Sequence, residues 1–232
     1  MQYVKIKDSI VEQIDTGLLS ARQKLPSERK LSESFNTTRV TLREALSLLE
    51  AEGRIYREDR RGWFISPVPL RYDPMLAVNF SCMAKDQNRI PITQLLAAKP
   101  VLANKHASRL LGLAPFSDVF QVERVRYLDD RPVVYIIHYI RPELFPNLLD
   151  FDLTHSITDI YRDHFSTVYR KTRYRISTSS LLGEVAHALR ATSGTPAMVI
   201  ERVNYNHQGE VIDGHIEYWR HDAINIESTA EF

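Results

Sequence analysis

The stretch from Lys24 to Ser66 constrains the fold more than any other part of the chain. It reads KLPSERKLSESFNTTRVTLREALSLLEAEGRIYREDRRGWFIS and holds two short helical patterns followed by two β-rich segments. In the second helical pattern, four apolar residues recur at spacings of three and four: Leu42, Ala45, Leu46 and Leu49. Two helices and then a β-hairpin, in this order, predict a winged helix-turn-helix.

Capping residues stand at the ends of both predicted helices. Ser27 follows Pro26 and is predicted to cap the helix that begins SERKLSESF, while Thr37 or Thr38 is predicted to cap the next one. Gly53 fits the C-terminal end of the second helix, where a left-handed residue is common. The boundaries therefore agree with the apolar pattern.

The face opposite the apolar stripe of the second helix carries Val40 and Arg43, with Arg39 and Thr41 beside them. An Arg side chain can bind a guanine edge through two hydrogen bonds, and a small apolar group can contact a thymine methyl. This combination of residues predicts a face that reads DNA bases.

The two β-rich segments are predicted to form a hairpin with Asp59–Gly62 as its turn. Arg60 and Arg61 stand beside Gly62 at the tip, where two cationic side chains suit a phosphate backbone or a minor groove. An ordinary surface loop would hold the same residues, so the hairpin alone leaves both interpretations open.

LPSERKLSESF followed by TTRVTLREALSLLEAEG resembles the GntR family of bacterial transcription regulators over the first ~70 residues. The resemblance implies that operator DNA is contacted by residues of both helices and of the β-hairpin, which is the wing of this fold: Arg29, Thr38, Arg39, Thr41, Arg43 and Gly62. The family usually has Thr where this chain has Val40, which implies a different operator preference at that position.

Composition limits the possible partners of the chain. Residues 1–70 hold 12 Lys and Arg against 10 Asp and Glu, and this weak basic bias favours a homodimer that binds two DNA half-sites. The single Cys82 excludes an intramolecular disulfide, and the eight His residues show no metal-ligand spacing, so we expect no metal and no cofactor. No apolar run reaches membrane-spanning length and the N-terminus lacks a signal-peptide pattern, which predicts a cytoplasmic protein without a membrane partner.

Three Pro residues between Ser66 and Pro74 predict a stiff, extended linker. We therefore divide the chain into a winged helix-turn-helix domain (1–66), a linker (67–76) and a second domain (77–232). Six segments of the second domain are rich in Val, Ile and Tyr and predict strands: 92–102, 118–128, 132–141, 168–178, 197–206 and 210–220. Helical patterns near 105–111, 157–164 and 183–190 lie between them, which predicts a mostly antiparallel sheet flanked by helices in an α+β domain.

The pattern FxVxRxRYxDxxPVxxxxxYI and the closing hairpin resemble the UTRA effector-binding domain of the HutC branch of that family, which has the chorismate-lyase fold. A lyase-like enzyme is the alternative that this fold raises. The sequence offers no nucleophile motif, no metal set and no Cys/His pair, so we predict no catalytic residues and no enzyme activity.

Arg124 and Arg126 share one face of the predicted strand 118–128 with apolar residues. Buried guanidinium groups need either carboxylates from a neighbouring strand or a bound anion, and the alternation leaves both possibilities open. The resemblance favours the anion, because UTRA domains that bind phosphorylated effectors have Arg at these two positions.

The last predicted strand places Asp213, His215, Glu217 and Trp219 on one face, where an acidic group suits a cationic amine of a small zwitterion. Thr178, at the end of a basic stretch, is a further candidate donor, although a solvated strand face explains most of that stretch better. Relatives that bind amino-sugar phosphates have Glu where this chain has Ile136, which argues against a sugar ligand.

The segments FNTTRVTLRE, REDRRGWFISP and IEYWRHDAINIE resemble regulators of phosphonate uptake and use. The resemblance implies a small anionic or zwitterionic effector such as 2-aminoethylphosphonate. A sugar phosphate and a urocanate-like acid are the alternative effectors.

Overall fold

The structure, a computed structural model, describes residues 1–76 and 79–231 and divides the chain into two compact units. The first unit comprises three segments: Met1–Tyr72, Ser180–Pro196 and Arg220–Glu227. The second unit comprises the others: Asp73–Ser179, Ala197–Trp219 and Ser228–Phe232. The predicted start of the second domain, residue 77, lies outside the described residues.

The N-terminal part of the first unit is a winged helix-turn-helix, as predicted. Its elements are three helices and a hairpin: α1 (Gln2–Asp15), α2 (Glu28–Ser34), α3 (Arg39–Ala51), β1 (Ile55–Glu58) and β2 (Gly62–Ile65). The apolar stripe of α3 is fully buried, and its residues pack against Ile6 and Ile10 of α1 and Ile65 of β2. The burial of apolar surface stabilises this packing by about 25 cal/mol for each Å² removed from water.

The predicted caps are confirmed. The Ser27 hydroxyl accepts a hydrogen bond from the Lys30 amide at the start of α2, and the Thr38 hydroxyl accepts one from the Thr41 amide at the start of α3. Gly53 follows α3 with a φ of +70°, a left-handed conformation that an L side chain would strain.

The predicted linker 67–76 is corrected in its middle. Leu70–Tyr72 form the strand β3, which pairs in parallel with the strand β10 (Ile224–Ile226) near the end of the chain. Three linker residues thus belong to a two-stranded sheet of the first unit. The pairing joins positions more than 150 residues apart, so local composition gave no sign of it.

Arg220 anchors the C-terminal part of the first unit to the wing. Its side chain is 1% exposed, and its guanidinium lies 5.3 Å from the centre of the Tyr56 ring. It donates hydrogen bonds to the carbonyls of Leu189 (3.0 Å) and Arg57 (2.9 Å) and lies 3.7 Å from the Asp222 carboxylate. A buried charge is tolerated when such partners surround it.

The second unit is built around a six-stranded sheet with the strand order β4-β5-β6-β9-β8-β7. The strands are β4 (Pro91–Leu102), β5 (Asp118–Leu128), β6 (Arg131–Ile140), β7 (Lys171–Ser180), β8 (Pro196–Tyr205) and β9 (Val211–Arg220). The helices after α3 are α4 (Phe80–Lys85), α5 (Lys105–Leu111), α6 (Ile157–Phe165) and α7 (Gly183–Ala188). All six predicted strands are present with ends shifted by at most three residues, and the α+β prediction is confirmed, although α4 is not foreseen.

Separate apolar clusters pack against the two faces of this sheet. Leu110 and Leu111 of α5 pack with Tyr139 and Ile216, whereas Ile157, Ile160 and Tyr161 of α6 pack in a different cluster. Alternation along a strand sends neighbouring residues to opposite faces. Residues 213, 215, 217 and 219 of β9 therefore lie on the face opposite to Ile216.

We predict that Arg220→Ala lowers the free energy of unfolding by about 3–5 kcal/mol, because it leaves the buried Asp222 without its cationic neighbour. Urea unfolding measures this loss. Arg175→Ala removes an exposed Arg of β7 and serves as the control. Equal stabilities of the two variants would contradict the anchoring role of Arg220.

Candidate DNA-contact surface and candidate effector site

The first turn of α3 presents an exposed face. Arg39 and Arg43 are exposed, and Val40 is 77% exposed although it is apolar. The hydroxyls of Thr38 and Thr41 lie 3.0 Å apart at the N-terminus of the same helix. These five predicted residues therefore form one continuous surface, which we call the α3 surface.

Glu28 holds Arg43 in place. Its carboxylate accepts hydrogen bonds from Arg43 Nε (2.8 Å) and Trp63 Nε1 (3.3 Å). Partial burial opposes ionisation, but the bonds from Arg43 and Trp63 outweigh it and lower the pKa of Glu28. The sequence shows Glu28 only as an acidic residue in the first turn of α2, so its role in orienting Arg43 is not foreseen. Arg29 is exposed and pairs with Glu33 of the same helix (3.1 Å).

The tip of the wing contains the other three predicted DNA-contact residues. Arg60 has a φ of +58° and a side chain that is 94% exposed. Arg61 pairs with Glu58 at 2.5 Å, and Gly62 has a φ of +103°, which a residue with a side chain rarely adopts. The tip thus presents Arg60 to solvent and keeps Arg61 close to the hairpin.

Strand register brings the predicted effector residues of β5 and β9 onto the same face of the sheet. Arg124 of β5 lies opposite Ile136 of β6, which lies opposite Glu217 of β9. On the same face, Arg126 of β5 lies opposite Val134 of β6, which lies opposite Trp219 of β9. The two Arg residues and the acidic strand, which come from distant parts of the chain, therefore share one surface.

Arg124 is held by neutral groups. Its side chain donates hydrogen bonds to the carbonyls of Leu153 (3.2 Å) and His155 (2.9 Å), and its Nη2 lies 2.8 Å from His138 Nε2. Within the described part of the chain, no carboxylate forms an ion pair with it. Burial, together with the nearby Arg126, lowers the pKa of Arg124 to about 9. Of the two interpretations left open by the sequence, pairing with a carboxylate does not apply to Arg124.

Glu217 has three partners on this face. Arg202 Nη2 lies 3.2 Å from its carboxylate, His215 Nε2 lies 3.1 Å from it, and Trp219 Nε1 donates a hydrogen bond of 2.6 Å. Burial alone would raise the pKa of Glu217, but Arg202 and His215 lower it well below its usual range. Arg202 is not foreseen as a site residue, although its position in the alternation of β8 indicates that it faces this side.

The remaining predicted effector residues differ in their surroundings. Asp213 is fully buried and accepts hydrogen bonds from Tyr169 Oη (2.7 Å) and Asn204 Nδ2 (2.5 Å). Arg126 lies with its guanidinium 4.9 Å from the centre of the Phe80 ring of α4. Thr178 is exposed near the end of β7 and makes no side-chain hydrogen bond to the described residues.

Five charged residues dominate this surface, which we call the charged face: Arg124, Arg126, Arg202, Asp213 and Glu217. Three guanidinium groups stand against two carboxylates, so the formal charge of the charged face is +1. Arg124 forms no ion pair with a carboxylate of the described residues, and a bound anion would offset the cost of burying its charge. Among the described residues, no group of His, Cys, Asp and Glu has a metal-binding arrangement, and no helix has the length and apolarity to cross a membrane.

Comparison with known proteins agrees with both parts of the chain. Residues 2–65 match the family model described as bacterial regulatory proteins, gntR family, and residues 86–225 match the UTRA domain. The chain belongs to the GntR family of transcription regulators, in the group whose effector domain is a UTRA domain.

Relatives of similar length support this assignment. The transcriptional regulator YihL of Escherichia coli K12 is 29% identical over 95% of this chain and 94% of its own length. The transcriptional repressor NagR of Bacillus subtilis is 27% identical over 97% and 92%. The crystal structure of PhnF from Mycobacterium smegmatis is 23% identical, has a TM-score of 0.68 and matches 97% of this chain and 99% of that one, which shows a shared fold. YihL and NagR are both named as transcriptional regulators.

We predict a pH dependence for the contribution of Glu217 to stability. Its pKa in the folded state lies below the ordinary value of 4.5, so the contribution is complete above that value and is lost as the pH falls through the folded-state pKa. The difference in unfolding free energy between wild type and Glu217→Gln should be constant above about pH 5.5. Below about pH 4.5 it should shrink by roughly 1.4 kcal/mol per pH unit.

Urea unfolding followed by tryptophan fluorescence, between about pH 3 and pH 7, measures this difference. Glu184→Gln, at an exposed position of α7, is the control and should show no such trend. A difference for Glu217→Gln that is independent of pH would contradict the assigned charge state.

Proposed function

We propose that this protein binds operator DNA as a homodimer and changes its DNA affinity when a small phosphonate binds to the charged face. The α3 surface and the wing tip contact the DNA in this proposal. The effector is a compact anion with a cationic group, such as 2-aminoethylphosphonate. The buried guanidinium of Arg124, which has no carboxylate partner among the described residues, carries the proposal for the effector.

The composition of the α3 surface supports base reading. Val40 is apolar and yet 77% exposed, and Arg39 and Arg43 are exposed beside it. Each of these side chains suits a base edge in the major groove. The N-terminal region has only a weak positive charge, so a single copy would gain little from phosphate contacts. Two copies on two half-sites would combine their contacts, which supports a homodimer.

The geometry of the charged face supports a phosphonate over a sugar phosphate. Planar guanidinium groups bind the oxygens of phosphates and phosphonates through paired hydrogen bonds. Ile136 lies between Arg124 and Glu217 in the strand register, and it offers no polar partner to the hydroxyls of a sugar ring. A short zwitterion needs no such partner there.

Repression is the mode of control that we propose. NagR, which is similar over 97% of this chain, is named a transcriptional repressor. In this mode the protein occupies its operator without effector, and the phosphonate stabilises the state that binds DNA less tightly. A ligand shifts such an equilibrium only by as much as its affinities for the two states differ.

We predict that Arg43→Ala weakens operator binding by about 1–3 kcal/mol, which is the range for one bidentate contact to a base. Fluorescence anisotropy with an operator fragment selected from genomic DNA measures the change at fixed salt. Arg175→Ala removes one exposed positive charge from β7 and is the matched control. Unchanged operator affinity in Arg43→Ala would contradict the recognition role of α3.

We predict that 2-aminoethylphosphonate raises the melting temperature in a concentration-dependent way, because a ligand that binds only the folded state stabilises it. Inorganic phosphate, glucosamine 6-phosphate and urocanate complete the panel. Arg126→Gln should abolish the shift while operator binding without effector persists, and Arg175→Gln should retain both. Stabilisation by urocanate alone, or an undiminished shift in Arg126→Gln, would contradict an arginine-bound phosphonate.

A further inference from the structure

A buried pair of imidazoles lies on the charged face beside Glu217. His138 of β6 and His215 of β9 are opposite each other in the strand register, and their ring centres are 4.7 Å apart. Each residue is more than nine-tenths buried. The proposed function uses neither ring, so their hydrogen bonds need a separate account.

The partner of His138 fixes the position of its proton. An Arg side chain can only donate hydrogen bonds, so His138 Nε2, 2.8 Å from Arg124 Nη2, must accept. Burial and the charge of Arg124 lower the pKa of His138 well below its usual value, so its ring is neutral. The proton of this ring therefore lies on Nδ1.

The partner of His215 fixes the opposite tautomer. The Glu217 carboxylate can only accept, so His215 Nε2, at 3.1 Å, must donate to it. Burial lowers the pKa of His215 below its usual value in spite of the nearby Glu217, so the ring is neutral and its other nitrogen, Nδ1, is an acceptor. His215 Nδ1 is buried and has no hydrogen-bond partner among the described residues. A buried polar atom without a partner is uncommon in proteins and points to a missing donor.

Both carboxylates of the charged face already accept hydrogen bonds from neighbouring side chains. Asp213 accepts hydrogen bonds from Tyr169 and Asn204, and Glu217 is bound by Arg202 and Trp219. His215 Nδ1, in contrast, accepts no hydrogen bond from the described residues, so it is the open acceptor nearest to these carboxylates on the charged face.

We propose that His215 Nδ1 is the acceptor for a hydrogen-bond donor of the effector, an ammonium or a hydroxyl carried on the same small molecule as its anionic head. The inference rests on the proposed function, since the guanidinium groups of the charged face hold the anion. It adds a specificity-determining residue: the anion provides affinity, and His215 selects molecules that also carry a donor.

Calorimetric titration of the full chain with three phosphonates tests this assignment. Propylphosphonate has a methyl group where 2-aminoethylphosphonate has its ammonium, and 2-hydroxyethylphosphonate has a hydroxyl there. We expect at least one of the donor-bearing compounds to bind about tenfold or more tightly than propylphosphonate to wild type. Their ranking distinguishes an ammonium from a hydroxyl as the preferred donor.

His215→Phe removes the acceptor and retains a ring of similar shape. In this variant we expect the three affinities to converge on that of propylphosphonate, whereas His215→Gln, which has both a donor and an acceptor, should restore part of the preference. A folded His215→Phe protein that keeps the full preference would overturn the assignment. Equal affinities of wild type for the three compounds would also overturn the assignment, but they would not contradict the anion site of the proposed function.

A measurement on wild type alone covers the case in which the variant does not fold. The ¹⁵N resonance of His215 Nδ1 should shift on binding the preferred donor-bearing compound and not on binding propylphosphonate. An unchanged resonance at saturation would overturn the assignment. Failure of all three compounds to bind would instead overturn the anion site of the proposed function, and this inference with it.

Discussion

The alternation of side chains along β9 is the constraint on which the effector domain depends. Odd-numbered residues from Asp213 to Trp219 lie on the charged face, while Gly214 and Ile216 lie on the face that packs against α5. β9 is an inner strand of the sheet, and residues on both of its faces are buried. Its polar residues therefore cannot turn to solvent. A shift of one residue in register would bury Ile216 among the charges and expose Glu217 to the α5 cluster.

The burial of Arg124 changes how its charge acts on an anion. The carbonyl oxygens that bind Arg124 accept hydrogen bonds from it without neutralising its charge. In water that charge would attract any anion weakly, because the dielectric screens it. In the interior the attraction is stronger. In the proposed function, the burial of Arg124 would therefore strengthen the binding of a small anion.

Local patterns in the sequence predicted the features that depend on neighbouring residues. The apolar stripe of α3, the Ser27 cap and the shared face of Arg124 and Arg126 follow from periodicity and capping chemistry alone. The partners of these residues could not be predicted in this way. Arg124 binds carbonyls of an irregular segment around Leu153, where no periodicity specifies which backbone atoms approach. The pairing of β3 with β10 is equally non-local.

The end of β9 shows why a boundary drawn by composition differs from the physical division of the chain. Trp219 belongs to the second unit and Arg220 to the first, although the two residues are consecutive and both are at most 1% exposed. Trp219 is fixed by its bond to Glu217, and Arg220 by its contacts with Tyr56 and two carbonyls. A shift in the register of β9 would break these buried hydrogen bonds. The loss would cost about 1–3 kcal/mol for each buried group left unpaired. The chain thus passes from one unit to the other within β9, between two residues that are each fixed by buried hydrogen bonds.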